Sequence, residues 1–246
     1  VSGILATLQR ELRAYFYSPL AYVVLFFLLV VNGLVFALIL SFLNDPLQPG
    51  GRPLDLFFGG TLYFWLVMLF VPPVLTMRLL AEERRSGSIE VLMTAPVTEG
   101  QVVTGKYLAA LLFYVFLWLP TLSYAGIVAA GSDIDWGTVA SGYLGILLVG
   151  ALFLAAGVFA SAMTSNQIIA AVMSFAILLG LLAIWPLEYL VNAPELKEVL
   201  AYLSIPQHME ELARGVVDTR RLVLYGSGTL FFLILTARAL EARKWR

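Results

Sequence analysis

The hydrophobic positions of this chain gather into five long stretches free of Asp, Glu, Lys, Arg and His: Ala14–Asn44, Leu56–Met77, Tyr107–Ser132, Trp136–Leu187 and Leu222–Ala237. A charge at the centre of a bilayer costs several kcal/mol, so such runs mark membrane crossings more sharply than average hydropathy does. The fourth run, as a single helix at ~1.5 Å per residue, would reach about 78 Å, more than twice the ~30 Å hydrocarbon core. It must hold two crossings, and its polar interruption, Ser161-Ala-Met-Thr-Ser-Asn-Gln167, is the place to turn. Six spans are therefore predicted, at about 20–43, 57–80, 101–130, 137–161, 166–186 and 221–240. The last run is short, but the heads of Arg220, Arg221 and Arg238 can reach the two interfaces and lengthen it.

The segments between the spans have patterns of their own. In residues 1–18, Ile4, Leu5, Leu8, Leu12, Tyr15 and Phe16 recur at helical spacing while Gln9, Arg10 and Arg13 take other faces, and Ser18-Pro19 marks a break. This predicts an interfacial helix, with a plain extension of the first span as the alternative. Arg10-Glu-Leu-Arg13 interrupts any apolar core of a signal peptide. The segment 81–98 is longer than a simple reversal needs. Gly87 can end a helix extending span two, Ser88 can cap a new one with Glu90 in its first turn, and Pro96 closes it. Thr98-Glu-Gly-Gln101 has the capping-box pattern that opens span three. The short helix Ile89–Ala95 would present Ile89, Leu92 and Met93 on one side, a face suited to a protein partner or, alternatively, to lipid headgroups. In 187–220, Leu196, Val199, Leu200 and Leu203 form one amphipathic face and Met209, Leu212 and Val216 another, each too short to span. These two pieces are expected to dip into or lie on the outer leaflet, either capping an exit route or resting on lipid.

Composition agrees with the pattern and narrows the chemistry. Of 246 residues, 61% are hydrophobic and 13% charged, against roughly 45–50% and 25% in an ordinary soluble domain. Fifteen basic against sixteen acidic residues leave a net charge of −1, no field for nucleic acid. With no cysteine and a single histidine, disulfides, thiolate chemistry and a zinc centre are not expected. Ten of the fifteen Lys and Arg fall on the side shared by both termini, which predicts both termini inside.

Two motifs are decoys. Gly100-Gln-Val-Val-Thr-Gly105-Lys106-Tyr107 nearly fits the phosphate-cradling G-x-x-x-x-G-K-[ST], but Tyr107 replaces the Mg-binding hydroxyl and an apolar helix follows. Glu82-Glu83-Arg84-Arg85 resembles the paired glutamates of intramembrane CAAX-type proteases, which also need histidines inside their helices; His208, the only histidine, lies in the outer segment. The cores of the predicted spans lack ionisable relays, which argues against a self-powered pump. Their polar groups are Asn32, Thr61, Asn166 and Gln167, candidates to line a path or to bond a neighbouring helix. Pro72-Pro73 and Pro120 are expected to kink spans two and three. Small residues four apart in span four, such as Ala151/Ala155 and Gly157/Ser161, predict close helix packing.

The stretch Ala81-Glu-Glu-Arg-Arg-Ser-Gly-Ser-Ile-Glu-Val-Leu-Met-Thr-Ala-Pro96, followed by Gly105-Lys106-Tyr107, resembles the hallmark loop of ABC-2 type transporter permeases. The opening Arg10–Tyr22 and the closing His208–Asp218 look most like the GldF branch, associated with gliding motility and bacterial export. The resemblance implies an all-α polytopic membrane protein of the type V exporter kind. Such a protein has six transmembrane helices, an N-terminal elbow helix, a cytoplasmic coupling helix and short re-entrant outer helices before the last span. It implies a bacterial inner-membrane location, pairing with a second permease chain as homodimer or heterodimer, and two copies of a separate cytoplasmic ATPase that carries ATP and Mg. An extracytoplasmic accessory protein is a further expected partner. Glu82, Glu83, Arg84, Arg85, Gly87, Ile89, Glu90, Leu92, Met93 and Pro96 would then form the ATPase-coupling site. Leu196, Val199, Leu200, Leu203, His208 and Met209 would form an outer gate. The chain itself would be no enzyme and would hold no cofactor or metal. The alternatives are a scaffold that recruits an ATPase without moving solute, and an intramembrane enzyme, for which no nucleophile–base pair stands in the sequence.

Overall fold

The computed structural model describes residues 2–44, 51–87, 98–191 and 193–242, and every element among them is helical. Helix α1 (Ser2–Phe16) ends where Ser18 turns extended, and Pro19, whose missing N–H is harmless in a first turn, opens α2 (Pro19–Leu43). After α3 (Pro53–Phe57), Thr61 caps α4 (Leu62–Thr76), and a turn leads into α5 (Ala81–Arg85). Next come α6 (Glu99–Trp118), a 3-10 turn at Leu119–Thr121 and α7 (Leu122–Gly131). Asp135 caps α8 (Trp136–Met163) and Asn166 caps α9 (Gln167–Leu182). The chain closes with α10 (Ile184–Leu190), α11 (Pro194–Leu203), α12 (Ile205–Ala213) and α13 (Thr219–Glu241), the last capped by Asp218.

Among the described residues, six helical stretches are long and apolar enough to cross a bilayer: Pro19–Leu43, Leu62–Arg85, Glu99–Gly131, Trp136–Met163, Gln167–Glu188 and Thr219–Glu241. The prolines act differently from one another. Pro72 and Pro73 stay inside α4, where the Thr76 hydroxyl donates to the Pro72 carbonyl at 2.8 Å, and the helix yields only after Thr76. Pro120 converts one turn to 3-10 geometry and so divides the third span into α6 and α7.

Helix α8 is the central pillar, packed by α13, α9, α12, α4 and α6. Its small residues permit this. A Cβ on Gly150 would fall 2.2 Å from the Tyr114 ring of α6, and one on Gly157 would fall 2.2 Å from the Thr76 hydroxyl of α4. Without a hydrophobic force between apolar helices in lipid, such close approach is what holds them together. The second, third and fourth spans are 61–67% buried, whereas the fifth and sixth are only 17% and 11% buried. Phe26, Leu34 and Leu38 of α2, Ile168 and Val172 of α9, and Val223 and Phe231 of α13 therefore point outward as apolar faces that water would not tolerate in such number.

Candidate functional site

The apolar stripe of α1 lies against α6. The approach is close enough that a Cβ on Gly105 would meet Thr7 Cβ at 2.8 Å and the Ile4 carbonyl at 3.0 Å. Tyr15 fixes the other end of α1: its ring stacks on Phe113 at 4.9 Å and its hydroxyl donates to the Leu75 carbonyl of α4 at 2.6 Å. This docking brings the polar side of α1 onto Lys106, the residue that follows Gly105.

Lys106 Nζ lies 2.8 Å from Glu11 Oε1 of α1 and 2.9 Å from Glu83 Oε1 of α5, and its side chain is 1% exposed. Arg10 reaches the same two oxygens, each at 2.7 Å, from a half-exposed position. Two cations and two carboxylates thus form one charge-balanced network spanning three helices. Removing an ammonium from water is costly, and here two carboxylates offset that cost through charge-assisted bonds. Burial alone would push the Glu11 carboxyl up, but Lys106 and Arg10 together outweigh it and hold the group below the ordinary carboxylate range.

A second set of bonds ties the end of α4 to the pillar. Ser161 of α8 accepts from the Leu80 and Ala81 amides, each at 3.1 Å, and donates to the Met77 carbonyl at 3.1 Å. One hydroxyl thereby satisfies three backbone groups freed by the break between α4 and α5. Arg78 donates to Ser18 Oγ at 2.9 Å and lies 5.0 Å above the Tyr15 ring.

Gly87, with φ +72°, follows the end of α5, and at Thr98 the expected capping box is formed: Gln101 N donates to Thr98 Oγ1 and Thr98 N to Gln101 Oε1, both at 3.3 Å. The expected short helix Ile89–Ala95 falls between them, so Ile89, Glu90, Leu92, Met93 and Pro96 lie outside the described residues. Of the rest of the predicted set, Glu83 enters the network, Glu82 and Arg85 are exposed on α5, and Arg84 is half-buried. Both flanks of this loop are thus joined by Lys106–Glu83, and both are joined to α1.

The polar residues singled out in the spans do not come together. Asn32 is buried and donates to the Leu28 carbonyl one turn back, at 3.0 Å. Asn166 caps α9 by accepting from Ile168 N and Ile169 N, and Gln167 begins that helix. Thr61, besides capping α4, borders a cavity of about 430 Å³ shared with Trp65, Leu179, Trp185 and Glu210.

The two outer amphipathic pieces part company. Helix α11, with Leu196, Val199, Leu200 and Leu203, buries no residue, whereas α12 seats on α8 with His208 and Met209 both fully buried. His208 Nε2 lies 2.7 Å from Arg221 Nη1 and 3.1 Å from the Tyr202 carbonyl, and Nδ1 lies 3.1 Å from Tyr225 Oη. Burial, then the Arg221 charge, pulls the histidine down to about 4. Arg221 also bonds Glu211 at 3.2 Å and the Tyr202 carbonyl at 3.3 Å, which latches α12 and the end of α11 to α13.

Arg10, Glu11, Lys106 and Ser161 are the members that the sequence reading missed. Lys106, within the third span predicted at about 101–130, sits inside α6 and is buried. The signal was present, because a capping box at Thr98–Gln101 starts the helix well before residue 106. No three His, Asp or Glu side chains among the described residues come together as a metal-binding group.

Six apolar helices, the small-residue pillar α8 among them, with a buried charge network at one end, define a polytopic helical membrane protein. The family model described as ABC-2 family transporter protein matches residues 53–232, and the chain belongs to that family. It is a transporter membrane subunit, and a search of the curated proteins finds no match.

Proposed function

We propose that the chain is the permease subunit of an ATP-binding cassette exporter, driven by ATP and Mg held on a separate cytoplasmic ATPase. The single observation that carries the coupling is Lys106, buried and bonded at once to Glu11 and Glu83. Force delivered to residues 88–97 enters α5 and α6 together through this bond, and passes on to α8 through Ser161. In this reading the charged end faces the cytoplasm with both termini, α1 is the elbow helix, and Ile89–Ala95 is the coupling helix that receives the ATPase. Two ATPase copies serve two permease chains in a bacterial inner membrane, in the manner of the GldF-like branch, with an accessory protein outside. The cavity bordered by Thr61, Trp65 and Trp185, at the opposite end, is where a substrate leaves.

The test is Leu92→Asp or Met93→Asp in the full complex. Each should abolish ATPase co-purification and the stimulation of ATP hydrolysis, while the isolated permease keeps its thermal midpoint. Unchanged binding and stimulation would refute the docking site. Vectorial transport in reconstituted vesicles separates the exporter from a scaffold that recruits an ATPase without moving solute.

A further inference from the structure

The third span leaves the pillar halfway along its length. Up to Trp118, α6 packs on α8, and Tyr114 donates to the Ile146 carbonyl of α8 at 3.2 Å. Beyond Pro120 the helix leans the other way. Tyr124 of α7 stacks on Phe36 of α2 at 4.6 Å and meets Phe57 edge-on at 5.4 Å, Ala125 is the only buried residue of α7, and α7 is not among the principal packing partners of α8. The Thr121 hydroxyl bonds to the Tyr143 hydroxyl at 2.9 Å, and near this bond a cleft of about 350 Å³ opens between the end of α6, the first residue of α7 and α8.

The cleft is lined by Tyr114, Trp118, Leu119, Leu122, Tyr143 and Leu147, and its surface is almost wholly apolar. Its mouth faces away from the bundle: Leu119, Leu122 and Leu147 are 50%, 46% and 37% exposed. It lies within two helical stretches that cross the bilayer, on the half remote from the Lys106 network. An apolar cavity of this kind does not hold water, which needs two or more polar partners. Interiors close-pack, so a gap of this size beside mobile hydrocarbon is filled by it. A helix from another chain, ~10 Å across with its side chains, is too broad to enter.

We propose that this cleft is a binding site for the hydrocarbon tail of a membrane lipid, inserted between the end of α6 and α8 at the Pro120 break. The tail completes the packing of α6 on α8 where the third span leaves the pillar. The site is independent of the exporter reading and stands or falls without it.

The test uses the purified full chain in vesicles of phosphatidylethanolamine carrying a trace of phospholipid with a photoreactive diazirine near the end of one chain. Adducts mapped by peptide mass spectrometry should concentrate at Tyr114–Leu122 and Ala140–Leu147, about tenfold above the exposed faces of α2, α9 and α13. Ala140→Phe or Leu147→Trp, each filling the cleft, should remove that excess and leave the other adducts unchanged. Phe26→Trp on α2 should leave it intact. Thermal midpoints check that each variant is folded, and either filling variant suffices. Adducts spread evenly over the apolar faces, an excess that survives filling, or cross-links from this cleft to a second protein chain would overturn the proposal.

Discussion

Replacing Lys106 with methionine keeps the length and most of the volume of the side chain but removes the charge at the centre of the network. Glu11 and Glu83 are then left facing each other, with Oε1 atoms that share one Arg10 nitrogen at 2.7 Å and side chains only 13% and 16% exposed. Breaking a buried ion pair by deleting one partner costs about 3–5 kcal/mol. Arg10 stays, so the lower end applies, about 3 kcal/mol, or a fall in thermal midpoint of roughly 6–12 °C for a chain of this size. The assay is thermal unfolding of the full chain in detergent at neutral pH, with proteolysis near Phe16–Ser18 as a local readout of α1. The pH dependence has a defined sign. In the parent chain Glu11 is held below its ordinary value, so its contribution is present at neutral pH and lost as pH falls through the folded pKa. In Lys106→Met, burial without the ammonium raises the Glu11 pKa, so the deficit shrinks as pH falls. Adding Glu11→Gln and Glu83→Gln should recover most of the lost stability, because a neutral buried set carries no unpaired charge. A midpoint equal to that of the parent chain at neutral pH, or a gap that widens on acidification, would show that the network does not hold the three helices together.

Further expectations concern the contacts around it. Gly105→Val places side-chain carbon where Thr7 Cβ and the Ile4 carbonyl already stand within 3.0 Å of a Cβ, and should cost about 1–3 kcal/mol, read as faster proteolysis of α1 and a lower midpoint. Ser161→Ala strands the Leu80 and Ala81 amides in a buried turn, at about 1–3 kcal/mol, and should weaken ATPase stimulation more than ATPase binding. His208, neutral when folded with a pKa lowered from 6.5 to about 4, stabilises fully above pH 6.5. Its contribution should decline as pH falls toward 4, by roughly 3 kcal/mol at most. His208→Gln should flatten the midpoint-against-pH curve over that window.

Much of the architecture was written in the distribution of charge. The five charge-free runs and the turn at Ser161–Gln167 place six helices, and local chemistry sets their ends: Thr98–Gln101, Asp135, Asn166 and Asp218 all cap as their residue types require. The site was legible only at Glu83. Glu11 and Arg10 look like the solvated face of an amphipathic helix, and Ser161 looks like part of a turn or a small-residue stripe. Nothing local marks them, because their partners on other helices are 73 to 95 residues away. Likewise, the two outer amphipathic pieces have similar sequence patterns, yet only α12 buries its apolar face, since Gly145 opens room on α8 for Met209.

What the sequence determined by itself is therefore everything governed by solvent and by neighbours along the chain: which segments must leave water, where backbone donors must be capped, and where proline must interrupt a helix. What only the tertiary structure decided is which polar groups are worth burying. A lysine beside a glycine is a loop charge or an anchor depending on whether another helix approaches within van der Waals contact. Here Gly105 permits α1 to do so, and Lys106 becomes the bond that joins three helices. Similarly, Pro120 announces a break but not its direction; Tyr124 stacks on Phe36 so that α7 leans on α2, and the cleft lies at the break between the end of α6 and α8. Such outcomes depend on distances between segments remote in sequence, and packing sets those distances.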